Sequence, residues 1–369
     1  MCNDIVTYKV KNDCIYFLGY KPCTFHKKHG VKCENCQFYK PIRNRVLIIK
    51  IGEAGEVVRN TPILIKLRKE FSDAEITWLT KYPELVPTNY IDRVAPYSWE
   101  SVCFLKSQKY DILYNLDKEP EICAISEQIE AREKYGFSLD KRGKVVPYNQ
   151  NAYHKWLTGI FDDIMQKNKK HYVEEIFEIC GFNWEGEEYV LPEYETPSVN
   201  FKKKSSDFFV GLNTGVGKRW RTRLWPEKHW LELIHLLLKK KYKVLLLGGK
   251  EEDATNKYLA RETGALYAGH YSIKKFIGLM NYCDLIVTSV TMALHIAIGL
   301  KKKIVLLNNV FNRHEFHLYQ LGTIIEPLLS CLACYKNEFD DKCPVQNCME
   351  LISSTEVYET IVRVDQQSA

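Results

Sequence analysis

The sequence predicts an α/β protein built from two parallel, doubly wound halves, and three observations predict it. Short apolar runs alternate with helix-period stretches from residue 45 onward. The alternation fades near residue 200 and then starts again. Turns rich in glycine, hydroxyl or charged residues fall at the carboxyl ends of the apolar runs, where open α/β sheets bind ligands. A chain of 369 residues that is 46% hydrophobic and 27% charged has material for two cores, and it lies with globular rather than disordered or membrane proteins. No apolar stretch approaches the ~20 residues of a spanning helix.

The first residues, MCNDIVTYKVKNDC, have neither the apolar core of a secretory signal nor the arginine-rich character of a transit peptide, so a cytoplasmic protein is expected. The inner face of a membrane is the further location considered. The net charge of +6 is spread over lysine clusters at 202–204, 239–241 and 301–303, which read as solvated faces or as a weak attraction to an acidic partner or a membrane surface. The 23 tyrosines are scattered and no basic stripe is concentrated, so no nucleic-acid partner is expected.

In the first half, strands are predicted at 46–51, 75–80 and 111–116, with a helix over 63–71. The stretch VLIIKIGEAGEVVRNTP carries the most chemistry. Its apolar run ends at Gly52 and Gly55, which allow a tight turn and close backbone approach, and Thr61-Pro62 supplies an N-cap and N1 for the next helix. Glu53 and Glu56 sit on that turn, and either can serve as a general base or be a solvated acid. Residues 152–180 read as mostly helix, stopped by Gly181, and 192–204 as an interdomain linker.

In the second half, strands are predicted at 208–212, 243–247, 265–268, 284–289 and 303–307, with helices at 226–240, 251–263, 272–282 and 291–300. Three strand ends carry polar residues. The first, Asn213-Thr214-Gly215-Val216-Gly217-Lys218-Arg219 with Arg221 and Arg223 beyond, combines glycines and cations as a phosphate site does, although a basic surface loop has the same composition. At the second, Gly248-Gly249-Lys250-Glu251-Glu252, an acid such as Glu251 can accept from a ribose or simply favour a helix start. The third, Thr288-Ser289-Val290-Thr291-Met292-Ala293-Leu294-His295, places hydroxyls and free N–H groups at a helix N-terminus, an anion site, with His295 one turn inside.

Thirteen cysteines are concentrated at the two ends. Cys23, Cys33 and Cys36, with Cys14, His26 or His29 as a fourth ligand, have the spacing of a tetrahedral metal site. Cys331, Cys334, Cys343 and Cys348 match an all-cysteine zinc or iron centre, with two disulfides as the alternative in an oxidising compartment. The chain is thus divided into a cysteine-rich segment at 1–44, domains at 45–200 and 201–322, and a four-cysteine segment at 323–369 closed by a helix over 354–364.

Three motifs in order, the strand followed by Gly52 to Pro62, Arg223-Leu224-Trp225-Pro226, and Ser289 to His295 with Ala297, resemble the ADP-heptose heptosyltransferases of glycosyltransferase family 9. The resemblance runs over roughly residues 45 to 320. The tail is similar to that of the bacterial protein heptosyltransferases that modify autotransporters, where four cysteines bind iron. The resemblance implies a GT-B fold, two Rossmann-like domains facing a cleft, in which the first takes the acceptor and the second an ADP-sugar. It implies inverting transfer of a heptose or related sugar to a saccharide such as a lipopolysaccharide core, to a lipid-linked saccharide or to a protein hydroxyl. Glu56 would be the base, where the family usually has Asp, and Arg223 would steady the leaving diphosphate. Ser289, Thr291 and His295 would hold the nucleotide; the strand-end turns read above add Thr214, Gly215, Lys218, Gly248, Glu251 and Met292 as candidate donor-binding residues.

Val290 and Met292 replace an Asp and a Gly common in the family, and Met292 restricts backbone approach to a phosphate. No Asp-x-Asp pair is well placed, so no catalytic divalent metal is expected and the cysteine clusters are structural. Peripheral membrane contact and oligomerisation are compatible with this reading. Two rival readings are a nucleotide-sugar 2-epimerase of the same architecture and a non-catalytic nucleotide-sugar-binding protein.

Overall fold

The computed structural model describes residues 9–366 and contains two six-stranded sheets. The first comprises β1 (Asn44–Ile49), β2 (Ala74–Thr80), β3 (Arg93–Pro96), β4 (Lys109–Asn115), β5 (Glu130–Leu139) and β6 (Val145–Pro147), in the order β3-β2-β1-β4-β5-β6. Its pairs are parallel except β5 with β6. The second comprises β7 (Phe209–Asn213), β8 (Lys243–Leu247), β9 (Leu266–Tyr267), β10 (Leu285–Ser289), β11 (Lys303–Leu307) and β12 (Gly322–Ile325), in the order β12-β11-β10-β7-β8-β9, all parallel. In each sheet the chain runs outward from the central strand and then returns to its other side. The switch points are therefore β1/β4 and β7/β10, where a crevice opens beyond the carboxyl ends.

The central strands are continuous apolar runs because helices cover both of their faces. Val46, Leu47, Ile48 and Ile49 of β1 are fully buried, and every residue of β10 is buried. The helix Met292–Gly299 is apolar nearly all round, with Ala293 through Ile298 all buried. It lies on β10 and β11 and on its other side meets the helix Ala54–Arg59 of the first domain. One hydrophobic cluster accordingly contains Val57 and Val58 together with Ala293, Leu294 and Ile296.

The predicted strands appear within one or two residues of their expected bounds, but β3, β5, β6 and β12 carry no clear signal in the sequence. β3 is short and mostly exposed, and the first residues of β5, Glu130-Ala131-Arg132-Glu133, are largely solvated, so alternation is lost there. The stretch expected as mostly helix is three short helices, Tyr153–Leu157, Asp162–Lys167 and Tyr172–Ile179. The closing helix, Ser354–Gln366, packs on the helix Glu227–Lys239 and on β11 of the second domain.

Residues 182–204 contain no helix or strand and run across the second domain. Two helical glycines admit them: a Cβ on Gly278 would stand 2.0 Å from the Glu195 carbonyl oxygen, and one on Gly299 would stand 2.6 Å from Leu191 Cγ. The Asn312 amide closes the other crossing by donating to the Met165 and Asn168 carbonyls, each at 2.8 Å.

The segment before β1 is held by rings rather than by a core. Phe25 stacks on Phe38 at 4.2 Å, His29 on Phe38 at 5.0 Å, and Tyr16 meets Phe25 edge-on at 4.8 Å. Its helix Thr24–His29 has no buried residue. Gly278→Ala is expected to lower stability by roughly 1–3 kcal/mol, because the backbone of the crossing segment must move away. Urea unfolding measures this, and an unchanged midpoint would show that the segment does not lie against that helix.

Candidate active site

The carboxyl end of β1 brings an ammonium rather than an apolar side chain to the crevice. Lys50 is 3% exposed. Its Nζ donates to Asp117 Oδ1 at 2.6 Å and to Glu56 Oε2. Asp117, just past the end of β4, is equally buried, and its other oxygen accepts from the backbone N–H of Ile51 and, at 3.3 Å, of Gly52. A buried ammonium is tolerated only when paired. Burial disfavours its charge, but Asp117 and Glu56 outweigh burial and hold the Lys50 pKa well above the usual lysine range.

Glu56 stands in the first turn of the helix Ala54–Arg59, and its side chain is 40% exposed to the crevice. Burial pushes its carboxyl up, but Lys50, then Arg59 and Lys155, pull it down to about 2. It is therefore an ionised carboxylate at any working pH. Arg59 lies over the Tyr172 ring at 3.3 Å and pairs with Glu315 of the second domain at 3.8 Å. Gly55 explains the second glycine of the turn: a Cβ there would meet His295 Cδ2 at 3.0 Å and Met292 Cα at 3.3 Å. The helix carrying Glu56 thus touches the helix that starts at Met292.

Across the crevice, Arg223 occupies a 3-10 turn, Arg221–Arg223, and is 8% exposed. Its guanidinium donates to the carbonyls of Val290, Val216 at 2.9 Å and Trp220 at 3.3 Å, and it lies 5.4 Å from the Phe311 ring. No carboxylate pairs with it among the described residues, and burial lowers its pKa to about 10. Thr291 caps the helix Met292–Gly299, its hydroxyl accepting from the Ala293 N–H at 3.2 Å. His295 is buried, with Nδ1 3.5 Å from the Tyr189 hydroxyl. Burial first, and then Arg59, hold its pKa well below the ordinary histidine range despite Glu56, so the imidazole is neutral.

These groups line one cavity of about 980 Å³ between the two domains. It brings together Glu56, Arg223, Gly215, Lys218, Glu251, Thr291, Met292 and His295 of the residues expected from sequence. Thr214, Gly248 and Ser289 do not line it. Thr214 Oγ1 donates to Asn256 Oδ1 at 2.7 Å, and Ser289 Oγ donates to the Arg223 carbonyl at 3.1 Å, so both hydroxyls shape the turns from behind. Gly248 packs its Cα against Glu252, where a Cβ would lie 2.7 Å away. Glu251 pairs with Lys218 at 3.0 Å at the exposed rim, and Glu252, which accepts from Gly249 N–H at 2.9 Å, is the acid closer to the turn. Glu53 also stands at the rim, 3.8 Å from Arg219.

Sequence reasoning missed Lys50, Asp117, Arg59, Lys118 and Tyr172. The signal for the first two was a charged residue at the end of each of two apolar runs, Lys50 and Asp117, whose strands the topology makes neighbours.

The four tail cysteines all line one small cavity of about 30 Å³ with Thr222 and Asn309, whose Nδ2 donates to Cys348 Sγ at 3.1 Å. At the other end, Cys23 Sγ accepts from His26 N–H at 3.4 Å, while His26 Nδ1 is engaged with the Val31 carbonyl at 2.9 Å and Cys14 is buried. Among the described residues no three His, Cys, Asp or Glu side chains are arranged to hold a metal ion, so neither cluster is a preassembled ligand set.

Known proteins share this fold. The profile of glycosyltransferase family 9 (heptosyltransferase) matches residues 103–325, more than half of the chain. A glycosyl transferase family 9 structure from Veillonella parvula DSM 2008 superposes with a TM-score of 0.70 at 16% identity, covering 89% of this chain and 99% of its own. Escherichia coli ADP-heptose LPS heptosyltransferase II gives 0.63 at 16% identity, covering 88% and 100%. The dodecameric iron-containing heptosyltransferase TibC of enterotoxigenic E. coli, in complex with ADP-D-beta-D-heptose, gives 0.57 at 12% identity, covering 89% and 77%. No curated protein sequence matches. With two Rossmann-like domains across a cleft and the family's profile over the later part of the first and every strand of the second, the chain belongs to glycosyltransferase family 9 and is a glycosyltransferase of GT-B fold.

Proposed function

We propose that the protein transfers a heptose or related sugar from an ADP-sugar to an acceptor hydroxyl with inversion, using Glu56 as general base and Arg223 as the group that receives the diphosphate. The observation that carries this reading is the pairing, across one cavity, of an ionised carboxylate with a buried guanidinium that no carboxylate neutralises. The heptosyltransferases with which the chain shares its fold act on ADP-heptose, which favours that donor.

In this mechanism the acceptor oxygen forms a bond to the anomeric carbon as the bond from that carbon to the diphosphate oxygen breaks. The acceptor proton passes to Glu56, and the electron pair leaves with ADP. A carboxylate held at about 2 is always ionised but is a weak base, so its proton arrives as the new C–O bond forms rather than before. The diphosphate gains charge as it leaves. The Arg223 fork and the N-terminal N–H groups of the helix Met292–Gly299 meet it in a site whose donors are already oriented. Neutral His295 adds no positive charge there and can donate a hydrogen bond to a ribose or phosphate oxygen.

Glu56→Gln is expected to lower turnover by roughly 10²–10⁴-fold while ADP affinity and melting temperature stay near wild type. Wild-type turnover in this variant, read as ADP release from ADP-heptose with acceptor, would remove Glu56 from the chemistry. Arg223→Lys keeps a charge but loses the planar fork, so it should weaken ADP binding and cost roughly 10²–10³-fold in turnover. Equal ADP affinity in a calorimetric titration would place the diphosphate elsewhere.

The pH dependence has a definite sign. Because the Glu56 pKa is depressed, its base form is fully present above about 4 and is lost only as pH falls through about 2, so the wild-type rate should show no acid limb from Glu56 between pH 5 and 8. Lys50→Met removes the largest lowering influence and should bring an acid limb up into the measurable range. An unshifted profile in that variant would show that Lys50 does not set the state of Glu56.

We further propose that Cys331, Cys334, Cys343 and Cys348 hold one structural metal ion, a reading supported by four thiols sharing one cavity, three of them in a stretch, 326–347, without helix or strand and Cys348 at the start of the 3-10 turn Cys348–Leu351. When bound, the ion supplies a cross-link and takes no part in transfer. Protein purified under reducing conditions should carry about one zinc or iron per chain by elemental analysis, and Cys331→Ser with Cys334→Ser should lose it. Metal-free protein with a melting temperature indifferent to chelator would refute the site.

A further inference from the structure

The turn that carries Arg223 is held from outside, and the cysteine-rich tail does much of the holding. The guanidinium gives three N–H groups to the carbonyls of Trp220, Val290 and Val216, which leaves two of its five donors for a ligand. Where those two point depends on the backbone of the turn Arg221–Arg223, because a planar fork recognises a diphosphate only when it is aimed. The turn closes on itself through Arg223 N–H to the Trp220 carbonyl at 3.3 Å and Leu224 N–H to the Arg221 carbonyl at 3.0 Å, the weaker bonding of a short 3-10 segment.

Thr222, beside Arg223 in this turn, supplies the anchorage. It is fully buried, its hydroxyl donates to the Lys336 carbonyl at 2.8 Å, and its own carbonyl accepts from Asn309 Nδ2 at 2.7 Å. The same Nδ2 donates to Cys348 Sγ at 3.1 Å. Lys336 lies between Cys334 and Cys343 in the chain, so both anchors of Thr222 lead into the four-cysteine segment. Three residues past Thr222, Trp225 Nε1 donates to the Ile352 carbonyl at 2.9 Å, just beyond that segment.

The segment in turn is fixed against the second domain. Ala333 and Tyr335 have φ of 59° and 53°, a left-handed region that residues with a Cβ occupy only where their surroundings hold them. Ala333 N–H donates to the Asn309 carbonyl at 3.2 Å and Tyr335 N–H to the Val310 carbonyl at 2.9 Å. The Tyr335 hydroxyl accepts from the Asn312 N–H at 2.9 Å and donates to Glu315, and the residue lines the large cavity. The segment is therefore part of the cleft wall, not an appendage behind it.

We propose that Thr222 is a positioning residue for the donor diphosphate: it fastens the Arg223 turn to segment 331–348, so that donor binding and the order of that segment strengthen each other. The inference rests on the reading of Arg223 as the group that receives the diphosphate. Linkage makes the coupling reciprocal, and whatever factor the ordered segment adds to ADP affinity, bound ADP returns to the order of the segment.

The test is made on the full chain with ADP alone, followed by calorimetric titration and by hydrogen exchange read with mass spectrometry. Thr222→Val keeps the shape and removes the hydroxyl, so it should weaken ADP binding roughly three- to tenfold, and Thr222→Ser, which keeps the hydroxyl, should restore it. In the wild type, saturating ADP should slow exchange across 331–348 by a comparable factor, and this protection should shrink in Thr222→Val. A threonine that merely stabilised the fold would not tie exchange in a distant segment to ADP. Wild-type ADP affinity in Thr222→Val, a Thr222→Ser variant that fails to restore it, or wild-type exchange across 331–348 that is indifferent to ADP each overturns the proposal. Failure of ADP to bind the wild-type protein overturns the donor reading itself, and this proposal with it.

Discussion

The buried ammonium of Lys50 is the constraint on which the rest of the site depends. It stands at the end of β1, and the β1–β4 register pairs Ile49 with Asn115, which brings Asp117 alongside. A lysine in that position needs a buried carboxylate, and removing one partner of such a pair costs about 3–5 kcal/mol. Asp117 meets the need with one oxygen and with the other accepts from the first two N–H groups of the following turn. The turn after β1 is therefore fixed by the same pair that neutralises Lys50. Glu56, one helical turn on, completes the arrangement by accepting from the ammonium on its solvent side.

From there the constraint passes to the second domain. With the turn fixed, the helix Ala54–Arg59 runs toward the second domain, and Gly55 lets its backbone come against Met292 and His295. Arg59 reaches over Tyr172 to Glu315 and ties the same helix to the opposite domain. The helix that carries Glu56 and the N-terminus of the helix Met292–Gly299 are thus neighbours in one packed contact rather than two groups on separate lobes. The Met292 backbone is accommodated here by Gly55 of the other domain, whose Cβ would stand 3.3 Å from Met292 Cα. Val290 contributes through its carbonyl, which accepts from Arg223, so its side chain is not required for that role.

The strongly apolar strands were legible in the sequence because central parallel strands are buried on both faces. β1, β8, β10 and β11 were all visible for this reason, and with them the two-domain plan. Edge and near-edge strands were not, since β3 and the start of β5 are largely solvated and carry charges that read as loop. Of the residues that line the cavity, Glu56, Arg223, Thr291 and His295 could be named because they occupy turns with recognisable chemistry. Lys50 and Asp117 could not, since each looks like a stray charge until strand order places them together. Thr214 and Ser289, named on the same chemistry, do not line the cavity. A hydroxyl beside a glycine turn suggests a ligand contact, but whether it faces the cavity depends on backbone direction, and these two face Asn256 and the Arg223 carbonyl.

Charge distribution across the cleft carries the functional argument further than any single motif. Most of its cations are neutralised by carboxylates of the chain itself, some buried and some at the rim. Among the described residues, the two that are withdrawn from water with no carboxylate at ion-pair distance stand on opposite walls, Arg223 in the second domain and Lys118 in the first. Burial makes each a less comfortable cation than it would be in water, Arg223 at about 10 and Lys118 at about 8, and an arriving anion relieves that. A site that served only to hold a nucleotide would need such a cation on one wall. Having one on each wall gives both sides of the cleft a place for an anion, which a site for a single nucleotide does not need.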